Sequence, residues 1–514
     1  MLERELKLHV PAGGREALKA ELLRAGASAT RLRARYFDTD DRRLAQAGIA
    51  LRLRLEGEQW VQTIKAPGPD ELSRLELNHR RPGPELDLSV YRGTPVERLL
   101  SEAGTGLPTR YETDVERITL RLDTGSGVVE LAYDSGSIRA GGLALPVHEL
   151  ELELLSGEAR NIFVLGQYWL EKYGLVLDLR SKAERGDALA RIAAARKPGR
   201  QSASRKLTAP EARQLLKPRR AERPRYEGEP AMAAVYRQSA SECLSQIIRN
   251  ACFLAGVDKQ PGASALNVDY VHQLRVGIRR LRSCRRFFSK WLPIEDPASL
   301  QELKGFFSLL GRERDADVLR LSVTPRLLDA GMPALDLAPA ARHARRGAAG
   351  RRLAAGTAFQ ACLLALLEPL VTLEDPPSQD AAAGKPARML ARRLNGWLDR
   401  LCADGEHFLR LSVEAQHEQR KKVKRLRYCL DFAAPLLSEK RLKRVQEALT
   451  AAQQVLGDLN DLYVAQGFYG KLASAHPGGL FALGWLAAKQ EQRKEQAQAA
   501  FIRLRKAGRL RVKP

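Results

Sequence analysis

The sequence predicts two folds in one chain: an antiparallel β unit with a few helices, then a long all-α region. Three observations carry this. Through the first 200 residues, short segments alternate apolar and charged side chains with a period of two, the signature of strands. From about Met232 onward the apolar spacing becomes helical and strand signals vanish. Within that second region a motif occurs twice. His272-Gln273-Leu274-Arg275-Val276-Gly277-Ile278-Arg279-Arg280-Leu281-Arg282-Ser283-Cys284 matches His417-Glu418-Gln419-Arg420-Lys421-Lys422-Val423-Lys424-Arg425-Leu426-Arg427-Tyr428-Cys429, which indicates a duplicated helical unit.

Composition narrows the class. A chain of 514 residues exceeds one typical domain, and 44% hydrophobic with 28% charged residues describes a soluble globular protein. Charges begin at Glu3, unlike a signal peptide, and the apolar stretch 361–373 is interrupted by Glu368 and Pro369 and is too short to span a bilayer. No membrane association is expected. Six cysteines without CxxC spacing signal neither zinc nor a redox motif, so a reducing, cytoplasmic setting is expected. Residues 1–200 hold 31 Lys+Arg and 30 Asp+Glu, so nearly all of the net charge of +24 lies beyond residue 200. A neutral part and a strongly basic part suggest two jobs.

The first strand, Glu3-Arg4-Glu5-Leu6-Lys7, puts Glu3, Glu5 and Lys7 on one face. A helix follows over 14–25, ended by Gly26, and then a strand at 34–39. Segment 49–55 alternates leucines with Arg52 and Arg54, and Trp60 to Lys65 returns as its hairpin partner across Glu56-Gly57-Glu58. Arg74 and Glu76 share a face in the next strand. Segments 119–123 and 128–134 read as a hairpin turning at Gly125-Ser126-Gly127. In 148–154, Glu149, Glu151 and Glu153 take one face and leucines the other. About eight strands thus have one charged and one apolar face. A sandwich with its charges in water would satisfy this pattern. A sheet that closes would instead make the charged face an interior, where carboxylates suit Mg²⁺ or Mn²⁺ and paired arginines suit phosphate.

These residues resemble the CYTH, or triphosphate tunnel metalloenzyme, family over residues 1 to about 195. The resemblance rests on Glu3-x-Glu5-x-Lys7, on Glu149-x-Glu151-x-Glu153, and on Ser181-Lys182-Ala183-Glu184-Arg185-Gly186. It implies an α+β domain built on an eight-stranded antiparallel β tunnel that hydrolyses inorganic triphosphate to diphosphate and phosphate. It implies metal ligands among Glu3, Glu5, Glu149, Glu151, Glu153, Glu76 and Asp134. It implies triphosphate ligands among Lys7, Arg52, Arg54, Lys65, Arg74, Arg117, Lys182 and Arg185. The family also contains adenylate cyclases and thiamine-triphosphate hydrolases, so organic triphosphates remain rival substrates.

Residues 196–230, rich in Pro, Lys and Arg, read as a linker with one short helix at 210–216. Beyond it, His272, Arg275, Arg279, Arg282 and Arg286 fall at steps of three or four and form one helix stripe, as do His417, Arg420, Lys424 and Arg427. Like charges at that spacing repel, so a bound anion would relieve them. The plainer reading is a solvated face with Asp315 or Asp461 as partners. A second pair of motifs, Leu310-Gly311-Arg312-Glu313-Arg314-Asp315 and Leu456-Gly457-Asp458-Leu459-Asn460-Asp461, follows at nearly the same interval. Together these motifs resemble the CHAD domain, a conserved-histidine α-helical domain, over 231–512. That implies two pseudo-symmetric helical bundles whose basic faces bind inorganic polyphosphate. In the second copy Asp431 stands where the first has Arg286, so weaker binding is expected there. Basic runs at 342–352, 440–444 and 503–513 could add phosphate contacts. No nucleic-acid motif is found, and 6% aromatics offer few stacking platforms, so no specific nucleic acid is expected. The alternative to an enzyme is a non-catalytic protein that localises to polyphosphate granules.

Overall fold

The computed structural model describes residues 2–104, 106–196, 206–226, 228–294, 298–333, 348–372, 385–474 and 476–513, without the side chains of 312–318, 320, 321 and 348. The motif side chains Arg312 to Asp317, the run 342–347 and linker residues 197–205 therefore lie outside the described residues. The chain forms two compact units that do not follow sequence order. The first comprises 1–219, 247–270 and 350–373, and the second 220–246, 271–349 and 374–514.

In the first unit nine strands form one antiparallel sheet: β1 Leu2–His9, β2 Ser28–Phe37, β3 Ala50–Glu56, β4 Gln59–Pro67, β5 Ser73–Arg81, β6 Thr109–Asp123, β7 Gly127–Ala140, β8 Leu143–Gly157 and β9 Val176–Leu177. The order is β5-β4-β3-β2-β6-β7-β8-β1-β9, and β1 also pairs with β5. That pairing, Glu3 opposite Arg74, closes β1 to β8 into a barrel. Closure removes the open edges of the sheet.

Residues directly opposite each other share a face. Lys7 opposes Glu151, Glu149 opposes Asp134, Asp134 opposes Arg117, and Arg52 opposes both Tyr36 and Thr63. Followed around the ring, these pairs set the charged residues on one face. The leucines take the other. Leu6, Leu8, Leu131, Leu150 and Leu152 are fully buried, packed under helices such as Arg160–Tyr173. Burying each contributes about 1.5–3 kcal/mol. The helices cover the outside, so the charged face is the interior.

The interior is not charged throughout. Towards one end the same face carries Tyr36, Tyr111, Val115, Ile138, Leu145 and Val147, packed against Leu189, Ala190 and Ile192 of the helix Lys182–Ala194. Tyr36 and Tyr111 stack at 4.6 Å. A Cβ at Gly186 would stand 2.2 Å from the Tyr111 ring, so only glycine lets the helix approach this closely. The short helix at Ala209–Leu215 adds Ala212 to the same cluster.

The first unit also draws on the helical half of the sequence. The Leu177 N–H of β9 donates to Gln360 Oε1 at 2.9 Å, Cys252 and Val257 pack on Val176, and Leu364 lies beside Gly166. Among the described residues no single helix is long and apolar enough to cross a membrane.

In the second unit each repeated basic stripe lies on one helix, Asn267–Phe288 in the first copy and Val413–Ala433 in the second. Each is followed by the helix bearing the Leu-Gly motif, Ala298–Val318 and Glu439–Gly470. Of the motif arginines, Arg280 is fully buried, donating to Gln246 Oε1 at 2.7 Å and to the Glu222 carbonyl at 2.9 Å.

Candidate active site

The barrel interior has an acidic wall on β1, β7 and β8. Asp134, Glu149 and Glu151 bring carboxylate oxygens within 4.8 Å of one another, the one group of three or more potential metal ligands at that spacing among the described residues. Three buried oxygen donors of this kind fit a hard divalent cation. The Lys182 ammonium stands among them, 2.5 Å from Asp134 and 2.9 Å from Glu151, and also bonds Glu149. Arg117 binds Asp134 through two bonds of 2.7 Å and reaches Glu151, while Lys7 lies 2.5 Å from Glu151 and 2.8 Å from Glu5.

This mutual neutralisation sets the titration. Burial opposes ionisation of Glu151, but Lys182, Lys7 and Arg117 outweigh it and hold the carboxyl well below its usual range. Burial likewise works against Lys7 and Lys182, and their carboxylate partners raise both. Carboxyls with fewer cations go the other way. Burial and neighbouring Glu5 lift Glu3 to about 8, and burial followed by Glu5, Glu76 and Glu130 lifts Glu153 to about 6, both against Lys65.

The facing wall is cationic. Lys65 binds Glu3 at 2.5 Å and approaches Glu76 at 3.4 Å, and Arg74 donates to the Ser73 carbonyl. Glu76 is drawn down to about 2, because Lys65, a hydrogen bond from Glu3 and Arg52 outweigh its burial. Arg52 is 3.7 Å from Glu76, and its Nε is buried with no hydrogen-bond partner among the described residues. Burial together with Arg52 and Arg117 pushes Arg54 down to about 10, although Arg54 Nε donates to Glu56 at 2.6 Å. Arg52 and Arg54 thus crowd Arg117, which is itself bonded to the acidic wall, and three clustered guanidiniums suit a multiply charged anion.

All the predicted barrel residues share this interior except in one respect. Arg185 is directed at Asp258, 2.7 Å away, with Glu149 at 3.1 Å and the Pro146 carbonyl at 2.6 Å, so its guanidinium is saturated by protein groups. Sequence reasoning missed Tyr36, which accepts from Arg52 inside the barrel, and the buried set Asp178, Arg180 and Asp258. The register of Tyr36 opposite Arg52 was the available signal for the first.

In the second unit Arg275 and Arg279 lie over the Phe307 ring at 4.7 and 5.5 Å. Gly311 makes room for them: a Cβ there would stand 2.8 Å from Arg275 Nη1. Lys424 is pushed down to about 6 by burial, then by Arg420, Arg279 and Arg275, with Asp461 opposing. The two stripes therefore converge at Lys424. His417 is exposed and hydrogen-bonded to Asn460. Arg282 and Arg286 are exposed and act on Arg425, lowering it after burial does. Arg427 acts on Asp431, one turn further along the same helix.

Comparison with known proteins fits this geometry. Residues 1–186 match the CYTH domain and residues 257–470 the CHAD domain. An inorganic triphosphatase from Haemophilus influenzae is 31% identical over 160 residues, covering 29% of this chain and 44% of that protein, so the chain spans less than half the length of this relative. The CHAD domain of the plant Ricinus communis has a TM-score of 0.45 at 27% identity, over 57% of this chain and 99% of that one. A Hippeastrum protein described as having a dominant triphosphatase activity has a TM-score of 0.26 at 18% identity, over 35% of this chain and 91% of that one. Residues 1–186 thus carry a CYTH domain and residues 257–470 a CHAD domain.

Proposed function

We propose that the barrel hydrolyses inorganic triphosphate to diphosphate and phosphate with Mg²⁺ or Mn²⁺, and that the helical unit binds inorganic polyphosphate. The observation that carries the first part is the closed interior in which Arg52 and Arg54 crowd Arg117, itself bonded to Asp134 and Glu151 of the acidic triad. The arginines, with Lys65 and Arg74, bind the triphosphate oxygens and neutralise charge as the terminal P–O–P bond breaks. Asp134, Glu149 and Glu151 would hold the metal, which supplies Lewis acidity and a more acidic water. Lys7 and Lys182 orient these carboxylates and meet the anion. Glu153, at about 6, is matched to take the proton of the attacking water near neutrality. Water oxygen bonds to the terminal phosphorus, and the bridging oxygen leaves with diphosphate.

The convergence of Arg275, Arg279, Arg420 and Lys424 supports the second part, because a polyanion would relieve their repulsion. All six cysteines are free and buried, which agrees with a reducing cytoplasmic setting. The test is phosphate release by the full-length chain with Mg²⁺ or Mn²⁺ from triphosphate, ATP, thiamine triphosphate and long-chain polyphosphate. Rapid release from triphosphate alone is expected. Release from none of the four would overturn the enzymatic reading and leave a binding protein.

A further inference from the structure

Asp258 follows the helix Met232–Ala255 in the turn Gly256-Val257-Asp258, and its φ of 55° is left-handed. Aspartate tolerates that conformation better than most residues, but it still needs support from its surroundings. The support is ionic. Its side chain is 3% exposed, with Oδ2 at 2.9 Å from Arg180 and 3.1 Å from Arg185, and Oδ1 at 2.7 Å from Arg185. One carboxylate therefore grips two arginines.

Those arginines bracket Lys182. Asp178 holds Arg180 from the other side through bonds of 2.8 and 2.7 Å. Ser181 caps the helix start by accepting from the Glu184 N–H, and Lys182 is the first helical residue. The apolar anchors of this helix, Leu189, Ala190 and Ile192, lie about two turns further on. With Ala183 of the first turn they fix the helix against the barrel, while the charged side chains of that turn are placed by polar contacts. Arg185 also reaches Glu149, a member of the acidic triad.

We propose that Asp258 is a positioning residue for the barrel: by clamping Arg180 and Arg185 it sets the first turn of the Lys182–Ala194 helix, and so places the Lys182 ammonium at the acidic triad for contact with phosphate. The identity of the phosphate ligand rests on the triphosphatase reading. Asp258 lies in the part of the sequence that matches CHAD, whereas Arg185 lies in the part that matches CYTH. The phosphate site of this chain is thus completed by a residue from outside its CYTH segment. Removing the Asp258 charge leaves Arg185 with Glu149 as its carboxylate partner, which draws Glu149 and Lys182 from their places.

The test is a double-substitution cycle in the full-length chain. Affinity for inorganic triphosphate is measured by calorimetry in EDTA, where metal-dependent turnover does not interfere. The variants are Asp258→Asn, Asp258→Glu, Lys182→Ala and the two combinations with Lys182→Ala. Asp258→Asn is expected to weaken binding about tenfold when Lys182 is present and less than about twofold when it is absent, because residues acting through one contact are not additive. Asp258→Glu, which keeps the charge, is expected to lose less, again only with Lys182 present. Equal losses in both backgrounds would assign Asp258 a merely structural role and overturn the proposal, as would full affinity in both Asp258 variants. If Asp258→Asn fails to fold, the Asp258→Glu pair decides by the same criterion. Absence of triphosphate binding by the unsubstituted chain also overturns it. Binding without hydrolysis when Mg²⁺ or Mn²⁺ is supplied overturns the enzymatic reading alone.

Discussion

The two units treat buried cations in opposite ways. On the acidic wall of the barrel, Lys7, Arg117 and Lys182 each have carboxylate partners at hydrogen-bond distance, and all are driven towards the charged form. In the helical unit Lys424 is surrounded mainly by arginines and is driven towards the neutral form, at about 6. The acidic wall carries its own counterions and is assembled before any ligand arrives. In the helical cluster burial and the arginines around Lys424 outweigh Asp461, a balance that a bound anion would shift. Arg54 shows that the barrel also keeps a small cationic excess, on the wall opposite its carboxylates.

Four experiments would break or sharpen this contrast. The largest effect is expected for Glu151→Gln, which takes a counterion from Lys7, Arg117 and Lys182 together. Triphosphate turnover should fall by about 10³-fold or more, and urea unfolding should show a loss of about 3–5 kcal/mol. Undiminished turnover would dismantle the preassembled wall. Next is Arg52→Met, which removes a guanidinium whose Nε has no hydrogen-bond partner among the described residues. About a 10²-fold drop in kcat/KM for triphosphate is expected in steady-state assays, with little change in thermal unfolding.

The third experiment follows protons. A polyanion bound beside Lys424 raises its pKa from about 6 towards the ordinary lysine value, so binding takes up a proton at neutral pH. Polyphosphate affinity should therefore rise by up to about tenfold per unit as pH falls from 8 to 7, and level off below about 6. Calorimetry in buffers of different ionisation enthalpy reads this uptake directly, and Lys424→Met should abolish it. The smallest effect is on stability. Because the folded-state pKa of Lys424 lies below its unfolded value, the unfolded chain binds the extra proton and stability rises with pH above about 6. Lys424→Met removes that penalty and should stabilise the chain by about 1 kcal/mol at pH 7 in denaturant titrations. A destabilised variant would mean that the cluster is already neutralised within the protein.

Much of the barrel was legible because its charged and apolar faces alternate. Glu149, Glu151 and Glu153 announced a strand with one charged face, and the family resemblance turned that face into an expected interior. The same rule read β6 from Thr119, although the strand begins at Thr109. Over 109–116 the interior residues are Tyr111, Thr113 and Val115, and the charges of Arg110, Glu112, Asp114 and Glu116 point outward. The alternation continues there with its sense reversed, because the interior changes from charged to apolar. Tyr36 was hidden in that apolar stretch. The repeated histidine motif revealed the duplicated helices and their cationic stripes. It did not reveal that the two stripes meet at Lys424, since spacing within one helix says nothing of its neighbours. Asp258 carried no signal at all: it is a lone carboxylate in a turn, 73 residues from Arg185.

That separation has a consequence for how the protein is made. At about 5–20 residues per second, the ribosome delivers Asp258 about 4–15 s after Arg185. Gln360, which receives the Leu177 N–H, lies 183 residues beyond it and emerges about 9–37 s later. For that interval the nascent barrel holds two arginines without their shared counterion, and leaves uncovered the Gly166 face that Leu364 later meets. The barrel, although it leaves the ribosome before the helical residues that complete it, is thus finished late, and its newborn form is exposed to chaperones and proteases for that interval.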